Sequence, residues 1–186
     1  MLALIFMIII GLVILFMAIS VYNSLITLKQ QIDRAWANIE VVLKQRFDEI
    51  PQLIEVIEQY ASYEQNTLKK VIEARNQFVS AKSMENKMAA SNEMSLALQG
   101  IVALGEAYPE LKANSSFVQL QGRISELEGL IADRREFFND TVTNYNTRIH
   151  QIPDMFFARM LGYSERLLYR PPTSETARPS LKINIG

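Results

Sequence analysis

The stretch AYPELKANSS, residues 107–116, decides how this chain folds, because it interrupts a sequence whose pattern is otherwise helical. Pro109 disfavours the helical conformation of the residue before it, so a helix is predicted to end at Tyr108. Ser116 and Gln119 have the spacing of a capping box, which predicts that the next helix starts within the two residues before Ser116. The stretch therefore predicts a reversal of the chain between two helices rather than a catalytic loop.

Apolar residues recur at intervals of three and four on both sides of this reversal, which is the spacing of one face of an α-helix. Downstream, the pattern continues from Phe117 to Ile149 without a helix breaker. Upstream, it forms three stripes within residues 25–43, 53–78 and 84–104. Four helices with one apolar stripe each and short connections bury those stripes best as an all-α, up-and-down four-helix bundle.

The other helix boundaries are predicted from the residues between the stripes. Asp48 can accept hydrogen bonds from the free N–H groups of a helix start, and Pro51 is tolerated only in a first turn or at a kink. We therefore predict that the second helix begins there. Near residues 82–86 the stripe loses register without Gly or Pro, which indicates a weaker boundary. Pro153 ends the last long helix, and residues 155–163 have the pattern of a short amphipathic helix.

The first 19 residues, from Met1 to Ile19, contain no charged and no strongly polar side chain. At about 1.5 Å per residue, such a helix matches a hydrocarbon core of about 30 Å. A cleaved signal peptide needs a basic start and a shorter apolar run, and this segment has neither. Tyr22 follows at the position of an interfacial aromatic residue. We predict a transmembrane anchor over residues 1–22 that continues into the first bundle helix.

Two features of the anchor bear on its association and its orientation. Gly11 stands alone and makes no small-xxx-small motif, so the anchor gives little support for tight helix dimers. Lys29 and Arg34 follow the span, whereas only the α-amino group precedes it. The positive-inside rule therefore favours an N-terminus outside the cell and a cytoplasmic bundle, although Asp33 between the two basic residues keeps the bias small.

Composition excludes several functional classes. A formal net charge of −1 argues against nucleic acid as a partner, and the absence of cysteine excludes disulfides, thiolate nucleophiles and Cys-ligated zinc. His150 is the single histidine, and Thr147 stands three residues before it, so the Glu-x-x-His pairs of a di-iron bundle are missing. We therefore predict a protein that is not an enzyme and that needs no cofactor and no metal.

The motifs EAYPELKAN (residues 106–114) and REFFNDTVTNYNTRIHQIP (residues 135–153), together with the apolar anchor, resemble the LemA family of bacterial membrane proteins. Ile152 and Phe138 depart from the family pattern, which usually has Phe and Tyr at these positions. The resemblance implies a LemA-like helical bundle over residues 23–163 on one membrane helix in the bacterial inner membrane. It implies no reaction.

Six residues are predicted as an interaction surface, since Trp, Tyr and Arg are favoured at binding hot spots. The alternative for the aromatic residues is a place in the core, and for the Asn and Arg residues it is hydrogen bonding between helices. For Asn139 and Asn146 neither alternative is favoured. The six residues are Trp36, Tyr108, Asn114, Arg135, Asn139 and Asn146.

The leading functional hypothesis is a membrane-anchored scaffold or adaptor whose partners are the lipid bilayer and other membrane proteins. The family resemblance implies partners in membrane protein quality control, one candidate being a membrane zinc protease of the HtpX type. One alternative is a self-assembling protein that organises or remodels membrane as a homo-oligomer, and another is a bundle that senses a ligand. The composition of the chain beyond Pro171 predicts that residues 164–186 form a flexible C-terminal tail.

Overall fold

A computed structural model describes residues 1–61 and 64–172, and all regular structure in them is helical. The helices are α1 (Leu2–Glu58), α2 (Gln65–Ser80), α3 (Met84–Ala107), α4 (Pro109–Ala113), α5 (Ser115–His150) and α6 (Asp154–Met160). Four of these, α1, α2, α3 and α5, are long. The prediction of an all-α fold of long helices that starts with an apolar N-terminal helix is confirmed.

The first helix is longer than predicted, since α1 continues through Pro51 to Glu58. The predicted helix boundary at Asp48 and Pro51 is therefore wrong. Pro51 lies on the exposed face of α1, whereas Ile50 and Leu53 are fully buried. A proline inside a helix costs about 3 kcal/mol, and burial of two large aliphatic side chains contributes about 1.5–3 kcal/mol each. Packing thus holds the helix together across the proline.

The first reversal of the chain lies between Glu58 and Gln65 instead. The backbone N–H groups of Tyr60 and Ala61 both donate to the Ile57 carbonyl, at 3.0 and 2.8 Å, and close the last turn of α1. The sequence of this connection contains neither Gly nor Pro. The turn therefore carries no strong sequence signal.

The second reversal lies between α2 and α3, where the loss of register predicted a boundary. α2 ends at Ser80, and α3 begins after Ser83, whose hydroxyl accepts a hydrogen bond from the Asn86 N–H at 3.2 Å. Serine is favoured at this position because it satisfies one of the unpaired N–H groups at a helix start. The helix boundary predicted near residues 82–86 is confirmed.

The third reversal includes a short helix, α4, within the Tyr-Pro stretch. Tyr108 ends α3 as predicted, and Pro109 occupies the first turn of α4, where its missing N–H costs nothing. Asn114 begins the next helix, because its Oδ1 accepts a hydrogen bond from the Phe117 N–H at 3.0 Å. The predicted cap on Ser116 is wrong, since Asn114 caps α5 two residues earlier.

α3 and α5 approach closely beside this reversal. Gly105 and Phe117 are both buried, and a Cβ atom on Gly105 would lie 3.0 Å from the Phe117 ring. The missing side chain of Gly105 therefore lets the ring pack directly against the backbone of α3.

The chain divides into two compact units. Unit 1 contains residues 1–40 and 132–168, and unit 2 contains residues 41–131 and the chain from Tyr169 onward. The buried apolar side chains of unit 1 include Val21, Leu25, Ile32, Ala35, Trp36, Ile39, Phe138, Val142, Tyr145 and Ile149. Those of unit 2 include Leu43, Phe47, Ile50, Leu53, Ile57, Val71, Phe78, Met94, Leu98, Ile101, Phe117, Leu127 and Ile131.

The chain after α6 has no helix up to residue 172, but it makes specific contacts. In unit 1, the Tyr145 hydroxyl donates to the Ser164 carbonyl at 3.1 Å. In unit 2, the Asn92 amide donates to the Arg170 carbonyl at 2.9 Å, and Tyr169 is fully buried. The rest of the predicted flexible tail, residues 173–186, lies outside the described residues, and its flexibility stays a prediction.

Candidate functional site

Arg46 is a charged side chain in the core of unit 2 and has no solvent exposure. It lies on the buried stripe of α1, three residues after Leu43, and its guanidinium carbon is 5.2 Å from the centroid of the Phe47 ring. Removing a cation from water costs several kcal/mol unless hydrogen bonds and an opposite charge compensate. The surroundings of Arg46 must therefore supply acceptors.

Two serines of α3 supply most of these acceptors. Arg46 Nη2 donates to the Ser91 carbonyl at 3.1 Å and to the Ser91 hydroxyl at 2.7 Å, and Nη1 donates to the Ser95 hydroxyl at 3.0 Å. Residues four apart lie on the same face of a helix, so Ser91 and Ser95 both face α1. Both serines are buried.

Glu128 of α5 supplies the opposite charge. Arg46 Nη1 donates to Glu128 Oε1, and the two residues form an ion pair in which the carboxylate side chain keeps 31% exposure. The Ser95 hydroxyl lies 3.2 Å from Glu128 Oε2 and 3.3 Å from the Ser91 carbonyl, and its one proton can go to either acceptor. We call Arg46, Ser91, Ser95 and Glu128 the Arg46 cluster. It joins α1, α3 and α5 through one positive and one negative charge.

A cavity of about 290 Å³ adjoins the Arg46 cluster within unit 2. Its polar lining residues are Ser95, Gln99, Gln121, Ser125 and Glu128, and its apolar lining residues are Leu53, Leu98, Ile101, Val102 and Ile124. The partly exposed Glu128 carboxylate can accept a hydrogen bond from a ligand, and the aliphatic walls can cover an apolar body. Among the described residues, no group of three metal-ligating side chains lies close together.

The predicted anchor forms the first part of α1. Large apolar side chains from Met1 to Ile19 are exposed on all sides of the helix, and no protein atom lies within 4 Å of a Cβ built on Gly11. Tyr22 is also exposed, and burial on α1 starts at Val21. In the part of the chain that the structure describes, α1 is the one helix long and apolar enough to cross a membrane.

The predicted interaction residues of unit 1 are mostly covered by protein. Trp36 and Arg135 each keep 8% exposure, and the Trp36 ring packs edge-on against Phe138 with the ring centroids 5.9 Å apart. Asn139 and Asn146 are half-buried. The structure thus places Trp36 and Arg135 on the buried faces of their helices, in agreement with the structural alternative that the sequence left open beside the interaction surface. A contact of either residue with a partner stays a prediction.

Asn146 holds the chain that follows α6. Its Nδ2 donates to the Arg166 carbonyl and its Oδ1 accepts from the Arg166 N–H, each at 2.9 Å. An asparagine amide offers a donor and an acceptor side by side, so it can pair with both backbone groups of one residue. Asn146 therefore has a structural role within unit 1, and its role toward a partner stays a prediction.

Tyr108 and Asn114 support the chain reversals of unit 2. The Tyr108 hydroxyl donates to Glu64 Oε1 at 3.5 Å, and the Asn114 Nδ2 donates to the Tyr60 hydroxyl at 2.9 Å. Both side chains are half-buried. These contacts join the α1–α2 connection to the α3–α5 connection, and a contact with a partner stays a prediction for both residues.

Sequence reasoning missed the Arg46 cluster. The available signal was a charged residue inside an apolar stripe, since Arg46 follows Val42 and Leu43 at helical spacing. The two serines were a second signal, because they lie among the apolar residues of α3. Glu128 carries no such signal, as it resembles the other acidic residues of α5.

Comparison with known proteins adds a family and distant relatives. A profile of the LemA family matches residues 35–183. Magnetosome protein MamQ of Magnetospirillum gryphiswaldense is 20% identical over 182 residues, which covers 83% of this chain and 67% of that protein. Two magnetosome proteins MamQ of Paramagnetospirillum magneticum are 21% identical over 168 residues, and the alignment covers 76% of this chain and 62% of each relative. The chain thus matches about two thirds of the length of these relatives.

Proposed function

Because this chain belongs to the LemA family, we propose that it is a single-pass membrane protein whose helical bundle is a scaffold for other membrane proteins. The observation that carries this proposal is the continuity of α1, which runs from Leu2 to Glu58 as one helix. Its first part is apolar and exposed on all sides, and its later part contributes buried side chains to each unit. A bundle that shares a helix with its anchor is held at the membrane surface.

The energetics of the apolar segment support the anchor. Covering one exposed Leu, Ile or Phe side chain contributes about 1.5–3 kcal/mol, and residues 1–19 include more than ten such side chains. A helix of this length rises about 28 Å, close to the thickness of a hydrocarbon core. Insertion into a bilayer therefore covers all of this surface at once, whereas packing against one protein face covers only part.

The compartment and the orientation are part of the proposal. The family resemblance supports the bacterial inner membrane, and the basic residues Lys29 and Arg34 after the span support a cytoplasmic bundle. Protease treatment of sealed inside-out vesicles should then degrade the bundle, and treatment of intact spheroplasts should leave it whole. The reverse pattern would show the opposite orientation while leaving the anchor itself unchallenged.

The chemistry of the Arg46 cluster supports a scaffold rather than an enzyme. Its two charged groups are paired with each other, and its two hydroxyls hydrogen-bond to the guanidinium. A serine nucleophile needs a free base within reach, and the carboxylate here is held by a cation instead. We therefore propose that the cluster fixes the arrangement of three helices and catalyses no reaction.

The partner is proposed by class. Family resemblance supports a membrane protein of the quality-control machinery, such as a zinc protease of the HtpX type. The test is crosslinking of the full chain in its native membrane, followed by mild detergent extraction and identification of the bound proteins. A second membrane protein, recovered also when residues 1–22 are replaced by an unrelated membrane helix, supports the scaffold. Large homo-oligomers alone would favour a self-assembling membrane organiser, and recovery of monomer alone would contradict both.

The cavity beside Glu128 favours a second candidate function, a bundle that senses a ligand. The ligand would be a small molecule with an apolar part and a hydrogen-bond donor, since aliphatic side chains line the cavity together with the Glu128 carboxylate. A compound of this class should raise the melting temperature of the wild-type chain. It should leave Ser125→Phe unchanged, because the added ring occupies the cavity from its wall. Equal stabilisation of both proteins would contradict a site in this cavity.

A further inference from the structure

Helix α6 in unit 1 has an apolar face that no described residue covers. Phe156 and Met160, one turn apart, keep 61% and 74% exposure, and Ile152 in the turn before α6 keeps 75%. The opposite face packs inward through Asp154 and Ala158, which are buried. Three large exposed apolar side chains on one side of a short helix are unusual for a surface that contacts only water.

The position of α6 relative to the anchor follows from the pairing of α1 with α5 inside unit 1. Trp36 and Phe138 are in contact, and unit 1 contains α1 only up to residue 40. If the helices were parallel, the last turns of α5 would lie beside residues beyond 40, outside this compact unit. They are therefore antiparallel, which also explains why Val21 and Leu25 are buried.

Helix geometry then fixes the level at which α6 begins. α5 continues for twelve residues from Phe138 to its last residue, His150, which is a rise of about 18 Å. The same rise along α1 from Trp36, toward the N-terminus, leads to Ser24. The end of α5, from which the turn at Ile152 leads into α6, thus lies about 8 Å, measured along α1, from Ile19, the last residue of the apolar span.

The charges around α6 suit the surface of a membrane. Asp154, the one acidic residue of α6, is buried and forms an ion pair with Arg148, so its charge is compensated. Arg159 of α6 follows Phe156 by three residues, which places it beside the apolar face, and Arg166 is an exposed cation in the chain after α6. Glu165 is exposed as well, and its carboxylate lies 3.4 Å from His150. Exposed arginines beside large apolar residues are typical of helices that lie in the interface of a bilayer.

We propose that α6 is a second membrane contact, with Ile152, Phe156 and Met160 seated in the interfacial layer of the bilayer that holds the anchor. This inference rests on the proposed membrane insertion of residues 1–19. Lipid is the occupant, because α6 begins about 8 Å beyond the end of the span, which is the depth of the interfacial layer rather than of bulk water. Two membrane contacts, one spanning and one interfacial, restrict rotation of unit 1 about the axis of α1.

The experiment uses single cysteines in the full chain, which has no cysteine of its own. Phe156→Cys is compared with Phe137→Cys, a matched control that has nearly the same exposure, 59%, but lies on α5 close to the level of the Trp36 contact. Ile10→Cys reports on the anchor. Each variant carries an environment-sensitive fluorophore and is reconstituted into vesicles of phosphatidylethanolamine and phosphatidylglycerol. These vesicles contain a lipid quencher, placed near the headgroups for Phe156→Cys and Phe137→Cys and at the ends of the acyl chains for Ile10→Cys.

We expect lipid quenching at Phe156→Cys to exceed that at Phe137→Cys by about twofold or more. Quenching at Ile10→Cys with none at Phe156→Cys overturns the α6 contact and leaves the anchor in place. Absence of quenching at Ile10→Cys contradicts the proposed function itself. If Phe156→Cys is unquenched and instead forms disulfides between copies of the chain, a second copy covers this face and the lipid contact is refuted.

Discussion

The Arg46 cluster in unit 2 and the contacts of Trp36 and Asn146 in unit 1 are of different kinds. At the centre of unit 2, the Arg46 cluster joins three helices through a buried ion pair and hydrogen bonds to two serines. In unit 1, the rings of Trp36 and Phe138 pack in a T-shaped contact, and Asn146 binds the backbone of Arg166. The contacts at Trp36 and Asn146 are therefore neutral, whereas the Arg46 cluster contains a pair of charges. Unit 1 also contains an ion pair, between Arg148 and the buried Asp154 where α6 begins.

This difference predicts how each unit responds to substitution. Neutral packing loses stability roughly in proportion to the surface and the volume that are removed. A buried ion pair responds differently, because loss of one partner leaves the other charged and unpaired, while loss of both can be nearly neutral. The changes in the free energy of unfolding caused by substitutions within the Arg46 cluster should therefore be strongly non-additive. Substitutions at the separate neutral contacts of unit 1 should be nearly additive.

The largest effect is expected from Arg46→Ala. It should lower the free energy of unfolding by about 3–5 kcal/mol, because Glu128 loses its counter-charge and both serines lose a donor. Denaturant unfolding of the full chain in detergent, followed by far-ultraviolet circular dichroism, measures it. The double variant Arg46→Met with Glu128→Leu should recover most of the loss. If the double variant is less stable than Arg46→Ala, the charges of Arg46 and Glu128 are not coupled energetically.

In unit 1, Trp36→Ala should cost about 3 kcal/mol, at the lower end for a buried aromatic residue, since Trp36 keeps a little exposure. The melting temperature should fall by several degrees. A cycle with Arg46→Ala should show additivity within about 0.5 kcal/mol, because the two residues are ten positions apart on α1, a rise of about 15 Å. Unchanged stability together with lost association would instead show that Trp36 contacts a partner.

Two glycine substitutions in unit 2 should have opposite signs. Gly105→Ala should cost about 1–3 kcal/mol, because its Cβ would lie 3.0 Å from the Phe117 ring. Gly122→Ala on α5 meets no atom within 4 Å, and it should stabilise the helix by about 0.5–1 kcal/mol. Thermal unfolding of the two variants side by side measures both. Stabilisation by Gly105→Ala would show that α3 and α5 do not approach closely there.

Removal of a single cap should have a smaller effect. Asn114→Ala deletes the acceptor for the Phe117 N–H and the donor to Tyr60, and it should cost about 1 kcal/mol. Ser116→Ala is the matched control, since Ser116 was predicted as the cap from the sequence but does not have that role in the structure. If Ser116→Ala loses more free energy of unfolding than Asn114→Ala, Ser116 rather than Asn114 caps α5.

The smallest effect concerns pH and is confined to unit 1. Burial raises the pKa of the Tyr145 hydroxyl above its ordinary value, and the nearby charge of Arg166 offsets part of this rise. The folded state thus holds the Tyr145 hydroxyl proton more tightly than the unfolded state does. The resulting contribution to the free energy of unfolding is complete below the ordinary tyrosine pKa of about 10, and it is lost as pH rises through the pKa of the folded state. Tyr145→Phe should flatten the alkaline decline of the melting temperature. If the melting temperature of Tyr145→Phe falls with alkaline pH as steeply as that of the wild type, groups other than Tyr145 cause the decline.

The sequence predicted element types better than element ends. Helical periodicity predicted the four long helices and α6, since burial along one face leaves a regular apolar pattern. The end of α1 was missed, because the strongest local breaker, Pro51, lies on an exposed face and the packing of Ile50 and Leu53 overrides it. The sequence between α1 and α2 contains no Gly or Pro, so no local rule indicates that α1 ends there.

The candidate site was less predictable than the fold. A hydrogen-bonded cluster depends on which faces of α1, α3 and α5 meet, and periodicity within one helix contains no information about its neighbours. Arg46 within an apolar stripe was a visible anomaly, but its partners lie 45 and 82 residues away in the sequence. Trp36 and Arg135 are buried although their residue types are favoured at interfaces. Residue type alone therefore does not distinguish an interface residue from a core residue.

The central claim is that α1 is both the membrane span and a core helix of the bundle. Reaction of single cysteines with a membrane-impermeant maleimide, in native membrane fragments open on both faces, tests it most directly. Ile10 and Val41 are both exposed to the surroundings of the protein, the first within the apolar segment and the second in unit 2. We predict that Val41→Cys reacts readily and that Ile10→Cys reacts only after the membrane is dissolved in detergent. Equal reaction of the two cysteines in intact membrane would contradict the claim.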